Sequence, residues 1–510
     1  MKMPLLSATP NAETSRRTTG RTGSRLRSRM ARRASTLIAV LLLAVVIGGA
    51  LIYYLAQVEQ ESTQVYRSQT WNLSLMMSEA GTEEAMAMIN LYEARGDFAH
   101  ITNWPSQAAA NGWSQYNPAS GVILPPNVPP VFTTFYKHHQ VDANGYYDVY
   151  IDNSNPLNPV ITSVGTAVWN FNVALGPHPM LAAAGAGVAA PPTIRQVQVK
   201  AAPQWVFTGA IQAKGLIDMN GKNVVTKSYN SHDPNHSFFS INNVGHGLYG
   251  LFTNSGSGLD PKQNANGDVQ TDGAVIDVGN AKIYGHTDTA PGGNTQLNSQ
   301  GSVGDTNWVS SGKTGIQPGY SSDDMNVDFP DPTLPNVSWT PVSGSSISSS
   351  GNYTLNSISG NFWITNGSPV PMVVNLYLSG SSSISLNGNS SLVVGTNVTV
   401  NIYCAGSIAI GGNGLANSSQ YAPAVAIWGL STCTSVSVGG NGSFYGTIYA
   451  PEAAVSMNGF GNNGSYNGAL VANTVSMNGN SNFSYDEYLK SNGPIRGFAP
   501  VAWRELVGGN

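Results

Sequence analysis

The residues of this chain that could do chemistry are sparse where it is most repetitive and scattered where they are common. Between Asp331 and Asp486 there is a single charged residue, Glu452. Cleavage of a glycosidic bond takes two carboxylates at a set separation, and Glu452 has no acidic neighbour in that stretch. Asp268, Asp272, Asp277, Asp288, Asp305, Asp323 and Asp324 lie closer together but at no repeating interval, which suits solvated loops. His232 and His236 in SHDPNHS are spaced i, i+4. On a helix that spacing offers two imidazoles to zinc, but Asp233, Pro234 and Asn235 between them make a turn. His138-His139 is a bare pair. DANG at Asp142 to Gly145 starts like a calcium loop but lacks the rest of one, and reads as a hairpin turn. There is no Walker loop, no G-x-S-x-G and no cysteine pattern for a metal. No catalytic, cofactor-binding or metal-binding residue is therefore assigned, no cofactor is expected, and the chain is not expected to be an enzyme.

Two cysteines occur, Cys404 and Cys433, 29 residues apart. In an oxidising compartment they can form a disulfide; two free buried thiols are the alternative.

The compartment follows from the N-terminal region. Eight of thirteen arginines lie between Arg16 and Arg33. Residues 1–34 carry a formal charge of +8, leaving −12 for the rest of a chain whose net charge is −4. Residues 34–56 are apolar and uncharged. As a helix they span roughly 34 Å, enough to cross a bilayer. The basic flank should stay cytoplasmic and residues 57–510 should be exported. A cleaved signal peptide is the competing reading, but the apolar run is long and ends in Tyr53, Tyr54 and Leu55 with no small-x-small site. Membrane lipid is thus the expected partner of residues 34–56, and acidic lipid of the arginines. Nucleic acid is not expected, because no aromatic residue interleaves them.

No proline occurs between Pro10 and Pro105. Gln57 to Arg95 is rich in helix formers, and Gly96 stands where a C′ glycine belongs. One helix from about Ser35 to Arg95, bent at Gly48, Gly49 or Gly81, is the expectation. Its segment SEAGTEEAMAMIN (Ser78 to Asn90) mixes small, apolar and acidic residues, which suits packing one face on a globular domain. A solvated spacer helix is the alternative.

The stretch Arg32-Arg33-Ala34-Ser35-Thr36-Leu37-Ile38-Ala39-Val40 resembles the signal of type IV pilins and pseudopilins, a basic leader, a Gly, then Phe-Thr-Leu-Ile-Glu. Thr36, Leu37, Ile38 and Val40 match by position. Ala34 replaces the glycine before the cleaved bond, and Ala39 replaces the glutamate. Closer still is the PilX N-terminal family of pilus-assembly proteins, which residues 30–95 resemble in the apolar helix and in the SEAGTEEA segment. The resemblance implies a half-embedded helix packed on a small β domain, other pilin-like subunits as partners, and a prepilin processing site between Ala34 and Ser35.

After a Pro- and Asn-rich connection, Tyr146–Asp152, Pro159–Trp169 and Thr193–Lys200 alternate and are β-branched, predicting a small antiparallel sheet. From about Trp205 the chain repeats. VSMNG occurs at Val455 and again at Val475; related pieces start at Ile384, Ile408 and Val436, giving spacings of 24, 28, 19 and 20. SFYGTIYA from Ser443 and SYNGALVA from Ser465 are 22 apart. KGLIDMNGKNVVTKSYNS (from Lys214) and GAVIDVGNAKIYG (from Gly273) share the grammar of strand, Gly/Asn corner, strand. Such repetition predicts a β-solenoid, with apolar residues stacking between coils and Asn ladders at the corners; an irregular β-sandwich is the alternative. Residues 350–490 resemble an uncharacterised domain common in PilX-like proteins, through YGTIYAP (from Tyr445) and FSYDEYL (from Phe483). It brings no known activity.

The expected fold is α+β: a long N-terminal transmembrane helix with a small antiparallel sheet, followed by a β-solenoid region. The expected divisions are a leader (1–33), helix (34–96), small β domain (97–204), first solenoid segment (205–322), Pro/Asp-rich connection (323–345), second segment (346–490) and C-terminal tail (491–510). Three functions fit: a pilin-like minor component of a pilus or type II secretion-like apparatus, single-pass in the inner membrane; a surface adhesin or envelope protein using the helix only as an anchor, with a surface or carbohydrate ligand unspecified; and a carbohydrate-active enzyme, disfavoured by the missing carboxylate pair.

Overall fold

The structure, a computed structural model, describes residues 25–91, 101–168, 192–221, 223–232, 263–440, 442–460 and 464–506; side chains of residues 25–36, 59, 63 and 101–103 are not described. The expectations for the leader before residue 25 and for His236 lie outside the described residues.

Helix α1, Arg25–Ile89, runs 65 residues, about 98 Å at 1.5 Å per residue. Every large apolar side chain from Leu37 to Leu55 is exposed. The burial changes near Thr70. Thr70, Ser74, Met77, Ser78, Ala85, Met88 and Ile89 are buried, a stripe at helical spacing that fixes which face meets the protein. The helix ends at Ile89, and the next residue, Asn90, still donates its backbone amide to Met86 O. Its side chain accepts from Phe498 N at 2.7 Å and donates to Phe498 O at 3.1 Å.

The stripe lies on a six-stranded antiparallel sheet. Its strands are β1 Ser114–Gln115, β2 Thr134–Gln140, β3 Gly145–Asp152, β4 Val160–Ala167, β5 Thr193–Trp205 and, last in order, the C-terminal strand Ile495–Leu506. Strands β3, β4 and the first half of β5 are where alternation placed them. Three members were not foreseen, among them the two-residue β1 in the Pro- and Asn-rich connection. TFYKHHQ in β2 ends in polar residues and has little β-branched content. The supposed tail from residue 491 instead contributes the edge strand, pairing with β5 from Ile495↔Trp205 to Leu506↔Gln196. Its PVAW segment is too short and too proline-interrupted to announce a strand alone.

From Ile211 onward the described strands pair in parallel, apart from this edge strand and one isolated bridge. The sequence repeats are the register. Ile384 pairs with Ile408, Ile408 with Val436, Val436 with Val455 and Val455 with Val475. Val475 then pairs with Ile217, and Ile217 with Ile276. A second ladder runs Leu376–Ile402–Ile427–Ile448–Leu470–Ile211–Val269. A third carries Phe444–Tyr466–Phe483–Thr226–Ile283–Val303. All of these side chains are buried, so each ladder stacks a column of like residues at the inter-strand spacing of about 4.8 Å. The corner glycines Gly279, Gly388, Gly412, Gly459 and Gly479 have φ between 56° and 72°, the left-handed conformation the tight turn demands.

Asn352, Asn375 and Asn401 form an amide ladder, 2.9 and 3.1 Å between successive side chains. It lies on strands, not at the corners where it was expected. Residues 205–322 and 346–490 are joined into the same ladders, because Leu470, Val475 and Asn482 pair with Ile211, Ile217 and Val225.

The connection between them is packed. Tyr377, Tyr403, Trp428 and Tyr449 are successive register partners on one strand face. Trp339 covers Tyr377 and Tyr403, with ring centroids 5.8 and 6.2 Å away. Met325 and Phe329 are buried in the same core, and Tyr449 Oη donates to Pro330 O at 2.8 Å.

Replacing Asn90 by Ala leaves the buried Phe498 amide and carbonyl without these partners. The expected cost is about 1–3 kcal/mol, read as a lowered denaturation midpoint with unchanged secondary structure.

Candidate functional site

The helix–sheet junction is where the SEAGTEEA segment acts. A Cβ at Gly165 would collide with the Ser74 carbonyl and the Ser78 amide, and one at Gly81 with the Ser163 hydroxyl and the Tyr147 ring. Gly81 is therefore a contact point. The two glycines let helix backbone approach strand backbone, and Ser74 and Ser78 bond back to Trp71 O and Leu75 O.

One turn further, Glu84 reaches over the sheet. It accepts from Tyr147 Oη at 2.8 Å, pairs with Lys137 Nζ at 2.7 Å and faces His139 Nδ1 at 3.7 Å. Burial pushes its pKa up, but the Lys137 and Tyr147 hydrogen bonds and the charges of Lys137 and His139 outweigh that, and the net shift is downward. The Tyr147 hydroxyl is held up by burial and by Glu84. Lys137 and His139 come from the unforeseen β2, so this anchor was not readable from sequence. Nearer the exposed half of α1, the Arg195 guanidinium lies 4.6 Å over the half-exposed Trp71 ring and makes a two-pronged ion pair with Glu505 of the edge strand.

The ladders bring together some of the residues weighed for catalysis. Glu452 pairs with Lys214 Nζ at 2.5 Å. It is not alone: burial and the charge of Glu452 raise the pKa of Asp331, while Lys214 opposes them. The neighbour comes from the connection, more than a hundred residues away in sequence, which local inspection does not reach. The scattered acids serve the turns. Asp305 caps the helix Thr306–Ser310 by accepting from Trp308 N, Asp277 accepts from Asn220 and Asp268 from His286 N. The ring of His232 stacks on Tyr488, 3.7 Å between centroids. His138 bonds Asp148 at 2.8 Å, and Asp142 closes the DANG hairpin onto Asn144 N. Among the described residues no group of three or more His, Cys, Asp or Glu could hold a metal ion.

Asp486, in FSYDEYL, is fully buried. Its Oδ1 accepts from Ser231 N and Tyr488 N, while Oδ2 has no partner. Burial raises its pKa to about 6. Cys404 and Cys433 are buried, free thiols. Gly429, register partner of Cys404, brings the Cys433 sulfur close to that strand. Burial raises the pKa of both, to about 11 for Cys433. The backbone at Ala34 and Ser35 lies within α1; their side chains are outside the described residues. Among the described residues α1 is the one helix long and apolar enough to cross a membrane.

Residues 321–492 match the model of a family described as "Domain of unknown function (DUF7305)". The match takes in the connection as well as the second segment, in keeping with their shared core. No curated protein matches the chain. Among solved structures, a competence-associated pilin, ComZ from Thermus thermophilus, aligns over 86% of this chain and 98% of its own, at 11% identity and a TM-score of 0.21. The functional reading below rests on the chain's own helix, sheet and charges.

Two carboxylates give stability opposite pH dependences. Glu84, lowered in the folded state, stabilises fully above its ordinary value of 4.5 and loses that contribution as pH falls through its folded value. Asp486, raised from 3.8 to about 6, favours folding fully below 3.8, and that contribution is lost as pH rises to about 6. Urea melts should show Glu84→Gln removing the acid-side loss and Asp486→Asn flattening the fall between these two values.

Thiol alkylation provides a second check. The native protein should resist labelling, because both thiols are buried and protonated. Denatured without reductant, it should label twice; no label would mean a Cys404–Cys433 bridge.

Proposed function

We propose that this protein is a membrane-anchored, pilin-like structural component of a bacterial type IV pilus or type II secretion-like apparatus, related to the PilX N-terminal family and without catalytic activity. The observation that carries the reading is the division of α1: exposed apolar residues from Leu37 to Leu55, then a buried stripe docked on an antiparallel sheet. The first half meets lipid through residues 34–56 and, in an assembly, other pilin-like subunits. The arginine-rich flank keeps the N-terminus cytoplasmic and sends the rest outward. On this reading the parallel ladders are one β-solenoid displayed outside the inner membrane. Glu452 serves as the ion-pair partner of Lys214, a structural use.

A minor or tip position fits better than bulk filament. Ala39 stands where pilins carry the glutamate thought to pair with a neighbouring subunit's amine. Identical copies would each place one uncompensated charge in an apolar setting. Processing, where it occurs, should fall between Ala34 and Ser35.

Protease added to spheroplasts should digest the bulk after residue 57 and leave the helix fragment. N-terminal sequencing of the membrane-bound protein should then read from Ser35 if the leader is removed. Protection of the bulk would overturn the topology. Purified filaments in which this protein is the most abundant subunit would overturn the minor role.

A further inference from the structure

The sheet face turned away from α1 carries a cleft of about 220 Å³. Its floor is two rows across three adjacent strands. The first row is Tyr150–Thr162–Gln198 and the second is Asp152–Val160–Lys200. Residues 127–129 form the wall.

The first row is already wired. Arg504 Nε and Nη2 donate to Gln198 Oε1 at 3.0 and 2.6 Å, and Gln198 Nε2 donates to Thr162 Oγ1 at 3.2 Å. Gln198 is buried, so its amide is fixed. The Tyr150 ring packs on Tyr136, with centroids 6.5 Å apart. Burial, with the nearby Asp148 and Tyr136, raises its hydroxyl to about 12, so it stays a neutral donor.

The second row is not satisfied internally. Its ends carry opposite charges two strand spacings apart, roughly 10 Å. Asp152 receives the amide and hydroxyl of Ser154, a residue of its own turn. Lys200 is exposed and has no ion-pair or hydrogen-bond partner among the described residues. Asp148, on the same face, is engaged by His138. Lys200 is thus the one cation lining the cleft, and its unpaired ammonium group offers an anionic group a place at that end, two strands from Asp152.

We propose that this cleft binds one sugar ring bearing a carboxylate, a hexuronate unit of an acidic glycan. Lys200 takes the carboxylate, Asp152 accepts from ring hydroxyls, and Tyr150 packs against the ring. The volume is below the roughly 300–1,000 Å³ of sites for drug-sized ligands, which suits a single ring. A small inorganic anion would use Lys200 alone and leave Tyr150 and the Asp152 carboxylate idle. The site does not depend on the chain's place in any apparatus.

The test is calorimetric titration of the full-length protein in detergent with glucuronate and galacturonate, and with methyl glucoside, acetate and inorganic phosphate as controls. One uronate should saturate with a Kd near the millimolar range, about tenfold tighter than methyl glucoside. Lys200→Met should weaken it about tenfold, the loss of one charged contact, and Lys200→Arg should restore most of it. Asp152→Asn should weaken both uronate and glucoside, with unchanged melting confirming the fold. Absence of saturable uronate binding, equal binding by Lys200→Met, or acetate and phosphate binding as tightly as the uronate would each overturn the proposal.

Discussion

The antiparallel pairing of β5 with the C-terminal strand is the constraint on which the rest of the architecture depends. Trp205 and Ile495 are register partners although 290 residues separate them. The strand that leads into the parallel ladders and the strand that leads out are hydrogen-bonded neighbours. Whatever the intervening chain builds must end where it started. It does so by an arrangement that simple stacking would not give. The chain enters at Ile211, in the middle of the ladders, builds outward to Ser322, crosses back, and re-enters at the far end near Thr340. It then builds toward its own starting point until Leu470 meets Ile211. The return crossing must span both the part already built and the part built after it, and is therefore long. It becomes part of the core because it lies on the column of Tyr377, Tyr403, Trp428 and Tyr449. Contacts at such sequence separations are formed late and at a cost in loop-closure entropy.

The same pairing ties the helix to the ladders. Phe498 is buried in the helix–sheet core, and Asn90 at the end of α1 grips its backbone. At the other end of the docked stripe, Glu505 holds Arg195 over Trp71. The edge strand thus touches the helix system at both limits of its buried half. A helix whose first half is exposed from Leu37 to Leu55 gains orientation from these contacts, and the close approach at Gly81 and Gly165 leaves little room for it to slide.

How much of this was legible depended on whether the information was local. The spacings 24, 28, 19 and 20 between Ile384, Ile408, Val436, Val455 and Val475 are the observed register offsets, because a stacked column must put like residues at like positions. The left-handed corners were legible for the same reason, since Gly fills them. What failed was non-local. The edge strand contains Pro500 and few β-branched residues, and only the presence of β5 beside it makes it a strand. Asp331 meets Glu452 only because the connection folds back across the ladders. The anchor at Glu84 was visible as an acid on a helix, but its partners Lys137 and His139 lie on a strand whose composition gave no sign of one. The Tyr150–Thr162–Gln198 row needed a register that alternation cannot supply.

An exposed edge strand invites pairing with other chains, and here the edge is the strand that closes the fold. Its sequence limits that risk. Pro500 has no amide to donate, the register shifts between Pro500 and Ala502 and again between Ile495 and Gly497, and Arg504 and Glu505 place charges along the outer half. Shifts of this kind twist an edge away from a flat template. The features that made Ile495–Leu506 unreadable as a strand are thus the ones that suit it to the edge. Val501 and Trp503 remain exposed on the same strand, so the apolar side chains are open to solvent while the backbone is guarded. A surface of that kind favours contacts made through side chains over extension of the sheet.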